Sequence, residues 1–450
     1  MLTWILTALV TCGPVTAAER GSTSLPAVDC AAENGGAAGA DERPAPAPKP
    51  DAEPKKTKKT KKDAEGLRAS WKQHPSIKVG SAFRLDVKAT LQEDAHASGT
   101  GTGDLDPFEL RKNRIGVSGN FFKRVEFEVE REVTEKAADA TKPQKSPWGD
   151  VYVNVSAIKN AQIQAGKFKV PFGRDELTSS TQNDFAFRSL GARYLAPARD
   201  VGAMVHGRFF KRGLNYWAGV FAHDGEHARS SKVQGGDQTV AARVTGRPFR
   251  PFGLDSIELG TAFAVSSLSD DSFEPNGLRG RTVLTQDTFF HPVYVKGQRR
   301  RWEGDVDWTA GRAMARAEMT WVNDDRRQQG IGDEDLPAAR ARSWYVAGGW
   351  ILKGERKKQR PNVEIVGRYE RLWFDSAGGA PADASSSNPR AEFILPSGNQ
   401  ALTVGVNWVL NRWIKLQVNG IRERVEDAER SPAPEGAAFW SRVFRIQFAL

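Results

Sequence analysis

Four arginines, Arg174, Arg188, Arg193 and Arg199, fall in one connection that leaves Lys167-Phe168-Lys169-Val170 and re-enters at Asp200-Val201-Gly202. A guanidinium offers a planar fork of donors that fits carboxylate and phosphate oxygens, whereas a lysine ammonium is a compact point charge. Arginines gathered on one loop therefore suit the holding or guiding of oxyanions. A loop arginine also serves as a brace, and Arg199 is placed to pair with Asp200. Upstream, Lys112 and Arg114 stand two apart, as do Glu126, Glu128, Glu130 and Glu132. That spacing sends side chains to one face of a strand, giving a short cationic row and an acidic row. Opposed across water, the two would set up a transverse field. Connections as long as residues 170–198 are uncommon without a functional reason.

Other chemistries lack their residues. Of the six histidines, only His223 and His227 stand at a metal-ligand spacing, with Asp224 and Glu226 between them. They read as surface histidines in a polar segment. No serine-centred elbow and no phosphate-cradling glycine loop occurs. No catalytic residue, metal or cofactor is expected.

The elements that must position these charges are strands. Ile77, Val79, Phe83, Leu85 and Val87 alternate with polar residues, and Val125, Phe127, Val129 and Val133 alternate with the glutamate row. The same period of two recurs near 114–118, 150–155, 161–170, 200–210, 213–222, 238–247, 255–266, 301–309, 311–322, 342–352, 361–374, 400–410, 412–424 and 440–450. Alternation with one charged face describes strands that have water on that side. Short links, such as Asn120 to Lys123 and Lys211-Arg212-Gly213, alternate with long polar ones at Asp94 to Asp106, Ser267 to Arg299 and Asp375 to Asn399. That is the sidedness of an outer-membrane barrel. Hydrophobic residues make up only 39% of the chain, yet it holds 13 Trp and 23 Phe, as fits strands with every second residue facing lipid. Trp302, Trp308, Trp321, Trp344, Trp350, Trp373, Trp408, Trp413 and Trp440 lie in or near strand ends, where amphipathic rings meet headgroups. The expected fold is all-β: a transmembrane antiparallel β-barrel of about 16 strands.

Ahead of the strands, Leu2 to Val10 with Val15-Thr16-Ala17-Ala18 reads as a signal peptide over residues 1–18. Residues 19–70 are rich in Pro, Ala, Gly and Lys and bury too little apolar surface to fold. They read as a disordered periplasmic linker, followed by the barrel over 71–450. Cys30 is then the only cysteine left, so rigidity must come from barrel closure rather than disulfides. The chain carries a formal charge of +10; residues 1–70 hold 10 Lys/Arg against 9 Asp/Glu, leaving 55 against 46 for the barrel. The excess fits either a solvated surface or a lumen that attracts anions. An exported chain meets no nucleic acid.

Leu110-Arg111-Lys112-Asn113-Arg114-Ile115-Gly116-Val117-Ser118-Gly119, the run from Gly166 to Gly173, Arg199-Asp200-Val201-Gly202 with Val205-His206-Gly207, and the run from Tyr216 to Phe221 together resemble the phosphate-selective porin O and P family. The resemblance covers roughly residues 108–222 by motif and the C-terminal half by pattern. It implies a barrel of sixteen strands, commonly trimeric, with the third external loop folded inward. It also implies wall and constriction arginines and lysines that guide phosphate or another small anion. Arg111-Lys112-Asn113-Arg114 departs from the more uniformly arginine-rich run usual in the family. Because Ile115 and Val117 face lipid, Lys112 and Arg114 should point inward, as should Arg84, Lys88, Arg208, Arg243, Arg247, Arg312, Arg316 and Arg368. With Arg174, Arg188 and Arg193 on the loop, these are the candidate pore-lining residues. The C-terminal Phe444 to Leu450 alternates as the signal read by the barrel-assembly machinery does, with Leu450 where an aromatic is usual. Outer-membrane lipid and lipopolysaccharide complete the expected partners. The competing reading is a plugged structural or adhesive barrel with binding external loops.

Overall fold

The computed structural model describes residues 66–71, 74–99, 107–133, 146–226, 238–254, 256–269, 275–354, 361–379, 385–386, 388–426 and 438–450. The signal peptide, Cys30 and the linker up to residue 65 lie outside the described residues.

Sixteen strands follow one another: β1 (Phe83–Ser98), β2 (Phe108–Phe121), β3 (Val125–Glu132), β4 (Trp148–Ile158), β5 (Ala161–Lys169), β6 (Arg199–Phe209), β7 (Leu214–Phe221) and β8 (Thr239–Gly246). Then come β9 (Ile257–Leu268), β10 (Gly297–Ala310), β11 (Ala313–Arg326), β12 (Leu336–Gly354), β13 (Asn362–Ser376), β14 (Ser397–Val409), β15 (Ile414–Val425) and β16 (Phe439–Ala449). Each pairs antiparallel with the next, and β16 pairs back onto β1 from Ser441↔Ser98 to Ala449↔Thr90. The sheet is a closed barrel. No helix among the described residues is long and apolar enough to cross a membrane.

Burial inverts the rule for soluble proteins. On β8, Val240 is 59% exposed while Arg243 is 4% exposed. On β16, Trp440, Phe444 and Ile446 are exposed and Ser441, Arg445 and Gln447 are buried. Apolar side chains facing out and polar ones facing in are what hydrocarbon around the barrel and water within it select. Tight links at 122–124, 159–160, 210–213 and 311–312 gather at one end, and long connections such as 170–198 and 269–296 at the other.

Three expectations are corrected. The alternation from Ile77 to Val87 is not one strand. The chain reverses at Gly80, whose φ is +52°, so that Ile77 in Pro75–Val79 pairs back onto Leu85. A second short strand, Leu67–Trp71, pairs onto Pro75–Val79. This hairpin covers the part of β1 that overhangs the end of β16. The polar run from Asp94 is not yet loop, because β1 continues to Ser98. Asp94 and Gln92 are polar because they point inward, to Arg445 and Gln447. The connection read over Ser267 to Arg299 is likewise shorter, since β9 runs to Leu268 and β10 starts at Gly297.

Gly166 shows why the motif around it needs glycine. Its φ is +129°, and an added Cβ would lie 2.3 Å from the Val151 carbonyl oxygen. The seam itself is clamped by a fork, with Arg445 Nε and Nη2 each 2.6 Å from an Asp94 carboxylate oxygen. The two side chains are 3% and 1% exposed. Removing one partner leaves a buried charge uncompensated, which costs about 3–5 kcal/mol. Asp94→Ala should therefore lower the thermal midpoint of the detergent-solubilised barrel markedly, and Asp94→Leu with Arg445→Met should recover much of the loss. An unchanged midpoint for Asp94→Ala would remove the clamp from the account.

Candidate functional site

The connection 170–198 is ordered by contacts with the polar face of the wall. Val170 and Phe172 are buried with Phe168, Met204, Phe221 and Ala241. Helix α1 (Arg174–Leu177) follows, then α2 (Leu190–Tyr194), whose N-terminus is capped by Ser189. Inner-face acceptors take the loop's backbone N–H groups: Glu318 of β11 from Asp175 at 2.9 Å, Glu370 of β13 from Leu190 at 2.6 Å, and Asn419 of β15 from Ala186 at 2.7 Å. Donors take its carbonyls: Asn407 of β14 bonds Asp184 at 2.8 Å and Arg368 of β13 bonds Phe187 at 3.1 Å. Arg174 pairs with Asp307, and Arg316 pairs with both Asp184 and Asp307. The loop is thus bound to β10 through β16.

The other half of the wall carries the cationic and acidic rows, but they are neighbours rather than opposites. Lys88 reaches Glu128 at 2.8 Å, and Arg114 reaches Glu130 and Glu132, each at 2.7 Å. The expected transverse field between the two rows is replaced by ion pairing along adjacent strands. Arg199 does not brace Asp200; it forks onto Asp150 at 3.0 and 2.8 Å. Asp200 instead accepts from His223 and from the Gly225 backbone. His227 lies outside the described residues, and among those described no three His, Cys, Asp or Glu side chains gather as a metal site.

Lys112 stands apart. It makes no hydrogen bond or ion pair among the described residues, and Arg114 stands two residues along on the same face of the strand. Arg111 joins this group because a bulge, with Lys112 opposite Gln92 but Leu110 opposite Glu93, turns it inward. Its guanidinium lies 5.4 Å from the centre of the Phe187 ring. Strict alternation from Ile115 hides this residue.

Arg84 bonds Asp86 at 2.9 Å, at the short-turn end. Arg208 is exposed near that end. Arg243 is enclosed by Glu303 at 2.6 Å and by Asp305. Arg188 donates to the carbonyls of Asp175 and Thr178 within the loop. Arg193 donates to Val283. Arg247 pairs with Glu258 at 3.1 Å and Arg312 lies in a tight turn.

Val283 belongs to a second segment, 275–296, within the connection expected to be external loop. Its Val283 N–H bonds Glu423 at 2.8 Å, its Thr282 carbonyl accepts from Tyr194, and Phe289 and Phe290 pack with Leu190, Leu195 and Phe374. The pairs Val283-Leu284 and Phe289-Phe290, apolar inside a polar connection, were the available signal. Beside the start of loop 170–198, a cavity of about 230 Å³ remains, lined by Glu128, Tyr152, Lys169, Met204, Trp217 and Leu177.

A barrel of this strand number with a long, wall-bound third connection directs comparison to known channels, and the phosphate-selective porin O and P family matches residues 78–449. The chain belongs to that family. Among solved structures it is similar to OmpT of Vibrio cholerae, at 13% identity and a TM-score of 0.55 over 83% of this chain and 99% of that one. The outer-membrane channel DcaP of Acinetobacter baumannii matches at 11% identity and a TM-score of 0.54, over 82% and 98%. OmpF of Salmonella typhi matches at 11% and 0.51, over 82% and 98%. No curated protein matches the chain. The family and fold place it in the bacterial outer membrane, among channels rather than enzymes.

In this porin the far end of the loop is fastened by a charge knot. Asp224, just beyond β7, accepts from Arg299 at 2.5 Å, from Arg301 Nη2 at 2.9 Å, and from Ser266. Arg301 Nε donates to the Leu195 carbonyl at 2.8 Å. Burial alone would push the Asp224 carboxyl up, but Arg301 and Arg299 outweigh it and hold the group well below the usual carboxylate range. A carboxyl depressed on folding contributes its full stability above the unfolded value near 4, and loses it only as pH falls through the depressed folded value. The difference in thermal midpoint between the wild type and Asp224→Asn should accordingly be constant from about pH 8 to about pH 5 and shrink only in stronger acid. A difference already lost at pH 6 would contradict the assignment.

Proposed function

We propose that the protein is a diffusion channel for small anions, phosphate among them, with residues 170–198 folded into the lumen as its constriction. The observation that carries this reading is Lys112. Lys112 makes no hydrogen bond or ion pair among the described residues, and with Arg114 on the same inward row it adds cationic charge that raises the local concentration of a passing anion. Arg111, Arg114, Arg188 and Arg199 strengthen the field, while Glu128, Glu130, Glu132 and Asp150 moderate it by pairing with their neighbours. The result is a preference for anions set by a few uncompensated charges rather than a uniformly positive tube. Arg84, Arg174, Arg193, Arg208 and Arg243 serve the wall, the loop anchors and the short-turn rim, so they shape the passage more than they bind.

The inward placement of the loop is supported by its bonds to side chains of the polar face on β11, β13, β14 and β15. A trimer is supported by the trimer form of the Vibrio cholerae protein, to which the chain is similar in fold. The alternating Phe444 to Leu450 end supports reading by the barrel-assembly machinery. A plugged barrel is the second reading, favoured by the apolar interlock of 275–296 with loop 170–198.

Planar bilayers separate the two, since stepwise conductance belongs to a channel and silence to a plug. In a salt gradient, the reversal potential should report anion preference, and phosphate should compete with chloride. A unit charge about 4 Å away is worth about 1 kcal/mol in water. Lys112→Ala should therefore lower the anion-over-cation permeability ratio roughly fivefold, and Lys112→Glu should lower it further. An unchanged reversal potential would take Lys112 out of the selectivity mechanism.

A further inference from the structure

The outward face of the barrel is apolar, yet arginines interrupt it along one flank. Arg342 on β12, Arg371 on β13, Arg422 and Arg424 on β15 and Arg442 on β16 all have outward parity, alternating with buried neighbours. Each stands near the end of its strand that leads into the long connections (Leu336 to Arg342, Ser376 to Arg371, Val425 to Arg422, Phe439 to Arg442). Across the register they step progressively away from that end. Arg342 is opposite Trp373, Arg371 and Arg424 both face Gln400, Arg422 faces Trp440, and Arg442 lies two residues further along β16. Strands of a barrel are tilted, so a row that steps in this way runs at constant depth in the membrane. Immediately below it the outward residues are Val346, Tyr369, Leu402, Val404 and Phe444, all exposed and apolar. The arginines therefore mark the level where hydrocarbon gives way to headgroups.

Their partners within the chain do not use up the charge. Arg371 pairs with Glu426, and both Arg342 and Arg371 lie over the Trp373 ring, at 6.0 and 4.9 Å. Arg422 and Arg442 make no hydrogen bond or ion pair among the described residues. On β6 to β8 the equivalent outward positions near the strand ends are Val201, Val220 and Val240, and on β3 a single outward arginine, Arg131, lies over the Trp148 ring at 5.4 Å. The cationic belt is densest on this flank, at headgroup depth and interleaved with tryptophans.

We propose that the outward face of β12 to β16 binds the phosphorylated glycolipid of the outer leaflet, with the guanidinium forks of Arg342, Arg422 and Arg442 taking its phosphate oxygens. Trp373 and Trp440 flank the site at the level such rings prefer. The inference rests on the outer-membrane barrel and is independent of what passes through the pore.

Native mass spectrometry of the detergent-purified protein tests it, with bisphosphorylated lipid A as probe and dephosphorylated lipid A as control. The intact protein should bind the phosphorylated form about tenfold more tightly, as expected for charge-assisted bonds. The triple variant Arg342→Gln, Arg422→Gln, Arg442→Gln should lose that preference, and lysine at the same three positions should retain part of it. Unaltered single-channel conductance in the triple variant would show that the barrel is intact. Equal binding of both lipids by the wild type, or an undiminished preference in the folded variant, overturns the proposal. So does a variant whose lipid binding is unchanged but whose oligomer dissociates, because the belt is then a contact between copies.

Discussion

In hydrocarbon an unpaired backbone N–H or C=O costs several kcal/mol, so a sheet that crosses a membrane must close on itself. Here the closing pair is β16 on β1, and much else follows from it. Closure gives every strand an inside and an outside, which is why the period of two persists along the chain. It leaves the lower part of β1 overhanging, and the hairpin of Leu67–Trp71 and Pro75–Val79 covers that edge. It also creates an interior large enough to need filling, and the interior is where the charges are.

Charges taken out of water must be paired or bonded. Most of those inside this barrel are, and the pairing is what holds the two long connections. Glu318, Glu370 and Glu423 each accept a backbone N–H from a loop. Arg299 and Arg301 gather Asp224 and the Leu195 carbonyl. Arg174, Arg243 and Arg316 are committed to carboxylates, and Lys112, the residue proposed to set selectivity, has no such partner among the described residues.

Much of the architecture was legible in the sequence, because lipid on one side and water on the other impose a simple alternation. Fifteen of the sixteen expected segments became single strands, and Ile77 to Val87 divided between a short hairpin strand and β1. The alternation misled only where its cause differed. The reversal at Gly80 was marked only by Ser81 standing where the alternation wants an apolar residue, and Asp94 looked like loop because an inward residue near a strand end is polar for the same reason a loop residue is. The bulge at Arg111 shifted the parity of one residue without a local signal. The sites were less legible than the fold. Which carboxylate an arginine meets depends on strands far away in sequence, as with Arg174 and Asp307 or Arg316 and Asp184, and no spacing encodes that. The role of 275–296 was visible only as two apolar pairs.

Loop 170–198 is bonded to side chains of β11, β13, β14 and β15, and the passage we propose lies at the opposite wall, where the cavity beside Tyr152, Gln164 and Trp217 remains. Ser343, 3% exposed on β12, lies where an added Cβ on Gly191 of the loop would touch it, at 2.7 Å from its hydroxyl oxygen. The most direct measurement is single-channel recording during exposure to a charged thiol reagent, in a chain whose native Cys12 and Cys30 are replaced by alanine. Channels carrying Gln164→Cys should lose current in discrete steps, and channels carrying Ser343→Cys should not respond. Block at Ser343→Cys with silence at Gln164→Cys would put the passage on the other side of the loop and contradict the account.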